Sequence, residues 1–132
     1  MLAVLASVAG LAISAYLTVV HFSTIPLACP ANAVVNCEQV LSSRYAAIGG
    51  SALPTSAAGI VWFAISAGLA LLRRRQALLA WASLGLATAL FLVYVEIVQL
   101  GAVCIWCTAA HAMVLLIFLT ALMRSEGDRV GT

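Results

Sequence analysis

The chain has 132 residues, 65% of them hydrophobic and 8% charged, with a net charge of +2 and a mean hydropathy of +1.18. A typical soluble domain carries about 25% charged residues, and a small domain has too much surface per unit volume to hide this many apolar side chains from water. Composition therefore excludes an ordinary soluble domain, and six Arg with no Lys and no basic stretch interleaved with aromatics exclude an evident nucleic-acid binder.

The first apolar run, about 2–20, matches the roughly 20 residues that cross a hydrocarbon core of about 30 Å. It lacks the basic leader and small-residue cleavage site of a secretory signal, so a retained helix is expected. The segment 21–55 is a loop with structure of its own. Ala28-Cys29-Pro30-Ala31-Asn32 reads as a turn. Asn36 can cap a short helix opening at Cys37, with Glu38 in a first turn that favours acidic groups. Over Cys37 to Tyr45, the residues Val40, Leu41 and Tyr45 fall roughly a turn apart, which predicts a short amphipathic helix lying over the bundle mouth. Gly49, Gly50 and Pro54 then break the chain.

Three more apolar runs follow. The second spans about 56–72, stops at Arg73, Arg74 and Arg75, and is short enough to begin at Pro54. The third spans about 77–100, and the fourth about 102–123 before Arg124. Backbone groups in lipid must pair internally, so these runs are read as helices; the alternating polarity of a membrane β-barrel is absent. The expected fold is an all-α membrane protein: a single domain, 1–132, forming a four-transmembrane-helix bundle capped by the loop helix at its extracytoplasmic end.

Charge sets the orientation. With both termini and the Arg73-Arg74-Arg75 turn on one side, that side holds five Arg (with Arg124 and Arg129) against Arg44 alone on the other. This positive-inside asymmetry places both termini in the cytoplasm and loop 21–55 outside. All four cysteines then lie outside: Cys29 and Cys37 in the loop, Cys104 and Cys107 where the fourth run opens. In the inner (cytoplasmic) membrane of a bacterium this is the periplasmic face, where disulfides persist.

Cys104-Ile105-Trp106-Cys107 is a CxxC at a helix N-terminus. One turn brings its sulfurs together, and the helix dipole favours a thiolate there, which suits thiol–disulfide exchange. Thr108 stands where c-type haem attachment needs His. A pair of buried structural thiols, or half of a zinc site, is the plainer reading of a lone CxxC. The second pair shifts the balance toward a redox relay, because Cys29 and Cys37 share the same oxidising face. Seven intervening residues also exceed the usual two to four between zinc ligands.

These residues resemble the vitamin K epoxide reductase family, in particular its compact bacterial members. The similarity is carried by Cys29 and Cys37, by Leu41-Ser42-Ser43-Arg44-Tyr45, by the Gly50, Pro54 and Gly59 entry to the second span, and by Cys104-Ile105-Trp106-Cys107. It covers the chain from the first span to Arg124. The resemblance implies a four-helix bundle around a quinone of menaquinone, ubiquinone or vitamin K type. It implies that Cys107 is the thiol beside the quinone, that Cys104 is its disulfide partner and exchanges with Cys37, and that Cys29 meets a thioredoxin-like (DsbA-type) protein. Ser43 aligns with a serine that supports the relay. Electrons would run from the partner to Cys29 and Cys37, then to Cys104 and Cys107, then to quinone. Many bacterial members carry a fused thioredoxin-like domain; with this sequence ending at Thr132, a separate partner is expected. Where animal members place Tyr and Asn at the quinone or epoxide, this chain has His111 and Thr55. Quinone reduction is favoured over epoxide reduction on that ground.

His111 lies one helical turn from Cys107 on the same face. It is a candidate to hydrogen-bond a quinone carbonyl or supply a proton, the plainer alternative being a bond to a neighbouring helix. Thr55 and Trp62 complete the candidate quinone pocket, although Trp62, Trp81 and Trp106 also read as packing or interface anchors. Glu96, inside the third span, can pair with Arg44, reach the interface or relay protons. Two competing classes are a four-helix small-molecule transporter with structural disulfides and a zinc-binding membrane module. The DsbB-type oxidases also have four spans and two cysteine pairs, but their CxxC opens the second span, whereas here it opens the fourth.

Overall fold

The computed structural model describes residues 1–131, without the side chains of Asp128 and Arg129. Arg129, one of the cations counted toward orientation, therefore lies outside the described side chains. Five α-helices follow in chain order: α1 Leu2–Phe22, α2 Cys37–Leu41, α3 Thr55–Leu71, α4 Arg75–Tyr94 and α5 Ile105–Val130. A turn of π-helix, Val95–Leu100, continues α4, and short 3₁₀ turns at Arg44–Ala46 and Ile48–Gly50 lead into α3. Among the described residues three helices are long and apolar enough to cross a membrane: Leu2–Phe22, Arg75–Leu100 and Ile105–Gly127. Thr55–Leu71 is a shorter apolar helix.

The helices pack through narrow stripes of small residues. On α1 the buried positions are Ala3, Ala6, Ser7, Gly10, Ser14 and Leu17, and on α4 they are Leu78, Ala82, Gly85 and Ala89. Both series step by three and four and keep to one helix face. Small side chains let backbones approach where lipid supplies no hydrophobic drive. Two buried serines bond within their own helices: Ser7 Oγ donates to the Ala3 carbonyl (2.7 Å) and Ser66 Oγ to that of Trp62 (2.8 Å). Meanwhile Leu5, Val8, Leu90, Phe91 and Leu119 face outward. An apolar outside around a small-residue inside is the arrangement of a multi-pass membrane protein.

α1 packs along α3 and α5, and α4 along α5, while α3 and α4 touch less. Two aromatic rings of α3 fix the spacing. The Phe63 ring lies on Gly10 of α1 and the Trp62 indole on Gly85 of α4; a Cβ at either glycine would sit inside the ring. At the far ends of α3 and α5, Arg73, Arg75 and Arg124 come together around Leu69, Leu78 and Ala121. Arg73 closes α3 in the left-handed region, φ 53°.

The structure differs from the sequence reading at the end of the loop helix and at the start of the last helix. Ser42 and Ser43 end the loop helix at Leu41, where a helix to Tyr45 was expected. Ser43 Oγ donates to the Val40 carbonyl at 2.7 Å and Ser42 Oγ to that of Gln39 at 3.4 Å, local bonds that compete with helix propagation. The last helix opens at Ile105, not Ala102. Gly101 is left-handed (φ 61°), and the backbone of Val103 is taken up by pairing with the loop. Val103 N–H donates to the Val34 carbonyl (2.9 Å), and Asn36 N–H to the Val103 carbonyl (3.1 Å).

Candidate active site

Loop 23–36 is shaped by its asparagines. Asn32 Oδ1 accepts the N–H groups of Val34 (2.9 Å) and Val35 (2.8 Å), closing the turn after Cys29. Asn36 Oδ1 accepts the Gln39 N–H at 3.0 Å and so caps α2 as expected. The resulting geometry presents Cys37 to Cys29, and the two form a disulfide with Cα atoms 6.2 Å apart. Gln39 Nε2 donates to the Leu100 carbonyl (3.1 Å) and ties α2 to the end of the α4 extension.

Cys104 and Cys107 are free thiols. Cys104 is the N-cap of α5, in the turn ahead of the long apolar helix, and its Sγ accepts the Cys107 N–H at 3.3 Å. Its own N–H donates to Glu96 Oε2 at 3.1 Å. The Cys104 thiol is held below the ordinary thiol range, foremost by the hydrogen bond from the Cys107 side chain. Burial opposes this, and the N–H groups of Cys107 and Trp106 add to it. Glu96 is buried and does not pair with Arg44. The Arg44 guanidinium instead donates to Tyr45 Oη at 3.0 Å and lies over the Tyr45 ring.

Both cysteine pairs share one apolar cluster. Cys37, Val40, Ala102 and Cys104 are buried at its centre, and Leu27, Cys29, Leu100, Trp106 and Cys107 pack around them. Cys107 also faces a cavity of about 610 Å³ between α1, α3, α4 and α5, roofed by α2 and the turn after it. Thr55, Trp62, His111, Ser43 and Glu96 line the same cavity. The Thr55 hydroxyl donates to the Tyr45 carbonyl (2.8 Å) and so also ties the roof to α3. The Trp62 ring stacks on Trp81, with centroids 6.3 Å apart and planes 13° from parallel. Two nitrogens of wall residues, Trp62 Nε1 and His111 Nδ1, are buried without a hydrogen-bond partner.

The four cysteines, Ser43, Thr55, Trp62, Glu96 and His111 thus reach the cysteine cluster or the cavity, and Arg44 does not. The contact of Glu96 with Cys104 was missed, as were the contacts of Tyr16 and Trp106 with the loop. The signal for Glu96 was its presence in an apolar span; the loop contacts span up to 78 residues of sequence, and no local pattern announces them.

Compared with known families, residues 1–122 match the vitamin K epoxide reductase family. The chain belongs to that family. A search of curated proteins returns no match. The vitamin K epoxide reductase family comprises membrane oxidoreductases that act with quinones, and the match takes in both cysteine pairs and all the cavity residues named above.

Proposed function

We propose that this vitamin K epoxide reductase family member is a thiol:quinone oxidoreductase that forms disulfides in a thioredoxin-like partner. The observation that carries the reading is the single cluster holding a disulfide and a dithiol, one thiol of which opens onto a large apolar cavity. In this reading all four long helices span a bacterial cytoplasmic membrane, with the cysteines on the outer face and the Arg73, Arg75 and Arg124 end inside. The arginine distribution supports that orientation.

The cavity suits a quinone. Its walls are mostly apolar, as a ligand with a prenyl tail needs. The two unpartnered nitrogens, Trp62 Nε1 and His111 Nδ1 (when Nδ1 carries the ring proton), sit just behind the cavity wall and become donors for carbonyl oxygens once a small ring movement turns them toward a ligand. Burying such groups unpaired costs about 1–3 kcal/mol each, which a ligand with two carbonyls would relieve. A quinone bound there supplies an acceptor for two electrons and two protons.

The chain's own residues carry the exchange. A dithiol partner reduces Cys29–Cys37, leaving its own disulfide behind. The Cys37 thiolate then attacks Cys104 Sγ of the closed inner pair, and Cys107 leaves as a thiolate. Next the Cys29 thiolate attacks Cys37 Sγ; the Cys29–Cys37 bond forms, the Cys37–Cys104 bond breaks and Cys104 departs. The Cys107 N–H aimed at Cys104 Sγ stabilises it as the leaving thiolate, and a stabilised thiolate departs faster. The end state has the outer pair closed and the inner pair as thiols, the arrangement seen in the structure.

The test is to incubate the purified protein with a reduced thioredoxin-like protein and a menaquinone and to follow quinol formation. Cys107→Ala should abolish it. Cys29→Ala should block the protein substrate while sparing turnover driven by dithiothreitol. Undiminished quinol formation by Cys107→Ala would overturn the assignment.

A further inference from the structure

The peptide that leads into Cys29 is gripped from both sides by two aromatic side chains. The Ala28 carbonyl, part of the Ala28–Cys29 peptide bond, accepts the Trp106 indole N–H at 2.8 Å. The Ala28 N–H donates to Tyr16 Oη at 3.2 Å. The two rings pack against each other, with centroids 4.9 Å apart and planes at 52°. Tyr16 comes from α1 and Trp106 from the first turn of α5, between the two CxxC thiols. The Cys37 end of the loop is held differently, by main-chain pairing of Val34 and Asn36 with Val103. One end of the loop is therefore fixed by backbone to the residue before Cys104. The other end is held by side chains that can let go without breaking any helix.

We infer that Tyr16 and Trp106 form a clip that positions Cys29 for its attack on a Cys37–Cys104 mixed disulfide. This rests on the thiol-oxidase reading. Cys37 is buried in one cluster with Cys104, and its helix is capped by Asn36 and tied to Leu100 independently of the disulfide. Cys29 sits in a half-exposed loop, and once its bond to Cys37 opens no disulfide restrains it. The clip then holds Cys29 near Cys37, so that the resolving step is intramolecular and already oriented. In that step Cys29 Sγ bonds to Cys37 Sγ, the Cys37–Cys104 bond breaks, and Cys104 leaves with the electron pair. The outer pair is oxidised and the inner pair reduced. Trp106 and Tyr16 touch no reacting atom; they are positioning residues. Placing one of them inside the CxxC makes the grip on Cys29 sensitive to how the first turn of α5 is seated.

The experiment uses Tyr16→Phe, Trp106→Phe and the double variant, which keep the ring packing and remove the hydrogen bonds. Each is assayed with a reduced thioredoxin-like protein and a menaquinone, and separately with dithiothreitol as reductant. Partner-driven turnover should fall about fivefold for each lost hydrogen bond, while dithiothreitol-driven turnover holds. Acid-quenched samples should accumulate the Cys37–Cys104 species, read by mass spectrometry of the cross-linked peptides, which a general loss of stability would not produce. Active wild type with variants that match it in turnover and in mixed disulfide would overturn the clip alone. Wild type that forms no quinol with either reductant would overturn the oxidase reading, and the clip with it.

Discussion

Two ring nitrogens, His111 Nδ1 and Trp62 Nε1, belong to residues that line the cavity from different helices, one on α5 a turn below Cys107 and one on α3 against Gly85. Both nitrogens are buried without partners, so each has a hydrogen bond to gain from a carbonyl and none to lose within the protein. Removing such a donor should weaken quinone binding without disturbing the fold. His111→Ala and Trp62→Phe are each expected to raise the KM for quinone about fivefold, the equivalent of one neutral hydrogen bond. Steady-state kinetics with excess dithiothreitol isolates that step from the protein partner. An unchanged KM in both variants would show that these nitrogens do not meet the ligand. His111 was legible in sequence because a helix repeats every 3.6 residues and puts positions 107 and 111 on one face. The orphaned indole of Trp62 was not, since it depends on the stack with Trp81 that fixes the ring.

The end of α4 shows where local pattern stops informing. Its apolar run announces a long helix, and the structure delivers one from Arg75 to Leu100, but the last six residues form a π-helix. A π turn is rare and often marks a functional position. Here it accompanies a buried Glu96 whose carboxylate accepts the Cys104 N–H. Composition shows that a carboxyl in a span must find a donor; it does not show that the donor is eight residues ahead, across a left-handed Gly101. By contrast, the Asn36 cap was legible, because the acceptor and donor are three residues apart. Glu96→Ala leaves the Cys104 N–H buried and unpaired and should destabilise the protein by about 1–3 kcal/mol. Glu96→Gln keeps an acceptor oxygen in place and should recover most of that loss. Unfolding in detergent micelles measures both. Equal losses in the two variants would mean that charge, not acceptance of this hydrogen bond, is what Glu96 supplies.

At the scale of the molecule, α3 decides whether the proposed four spans hold. Its 17 residues give a length of about 25 Å at 1.5 Å per residue, short of the roughly 30 Å core. Yet it packs along α1, itself long enough to cross, and the Phe63 ring locks onto Gly10 midway. On the proposed reading, a helix fastened to a spanning neighbour along its length crosses with it, and the bilayer thins by a few Å at small cost to accommodate it. The charges favour the proposed topology, since Arg73, Arg74 and Arg75 end one run and leave Arg44 alone on the other side. What the sequence could not carry was the seating of the loop on the bundle, which depends on Val103, Leu100 and Trp106 meeting residues 60 to 80 positions earlier. Topology has a direct measurement. In a background with all four native cysteines replaced by Ser, Ser51→Cys and Gln76→Cys place single thiols just before and just after α3. In right-side-out vesicles a membrane-impermeant maleimide should label residue 51 at once and residue 76 only after permeabilisation. Labelling of both from outside would make α3 a re-entrant segment and return the arginine turn to the cysteine face. The positive-inside orientation would then fail, and with it the placement of the dithiols where a periplasmic partner can reach them.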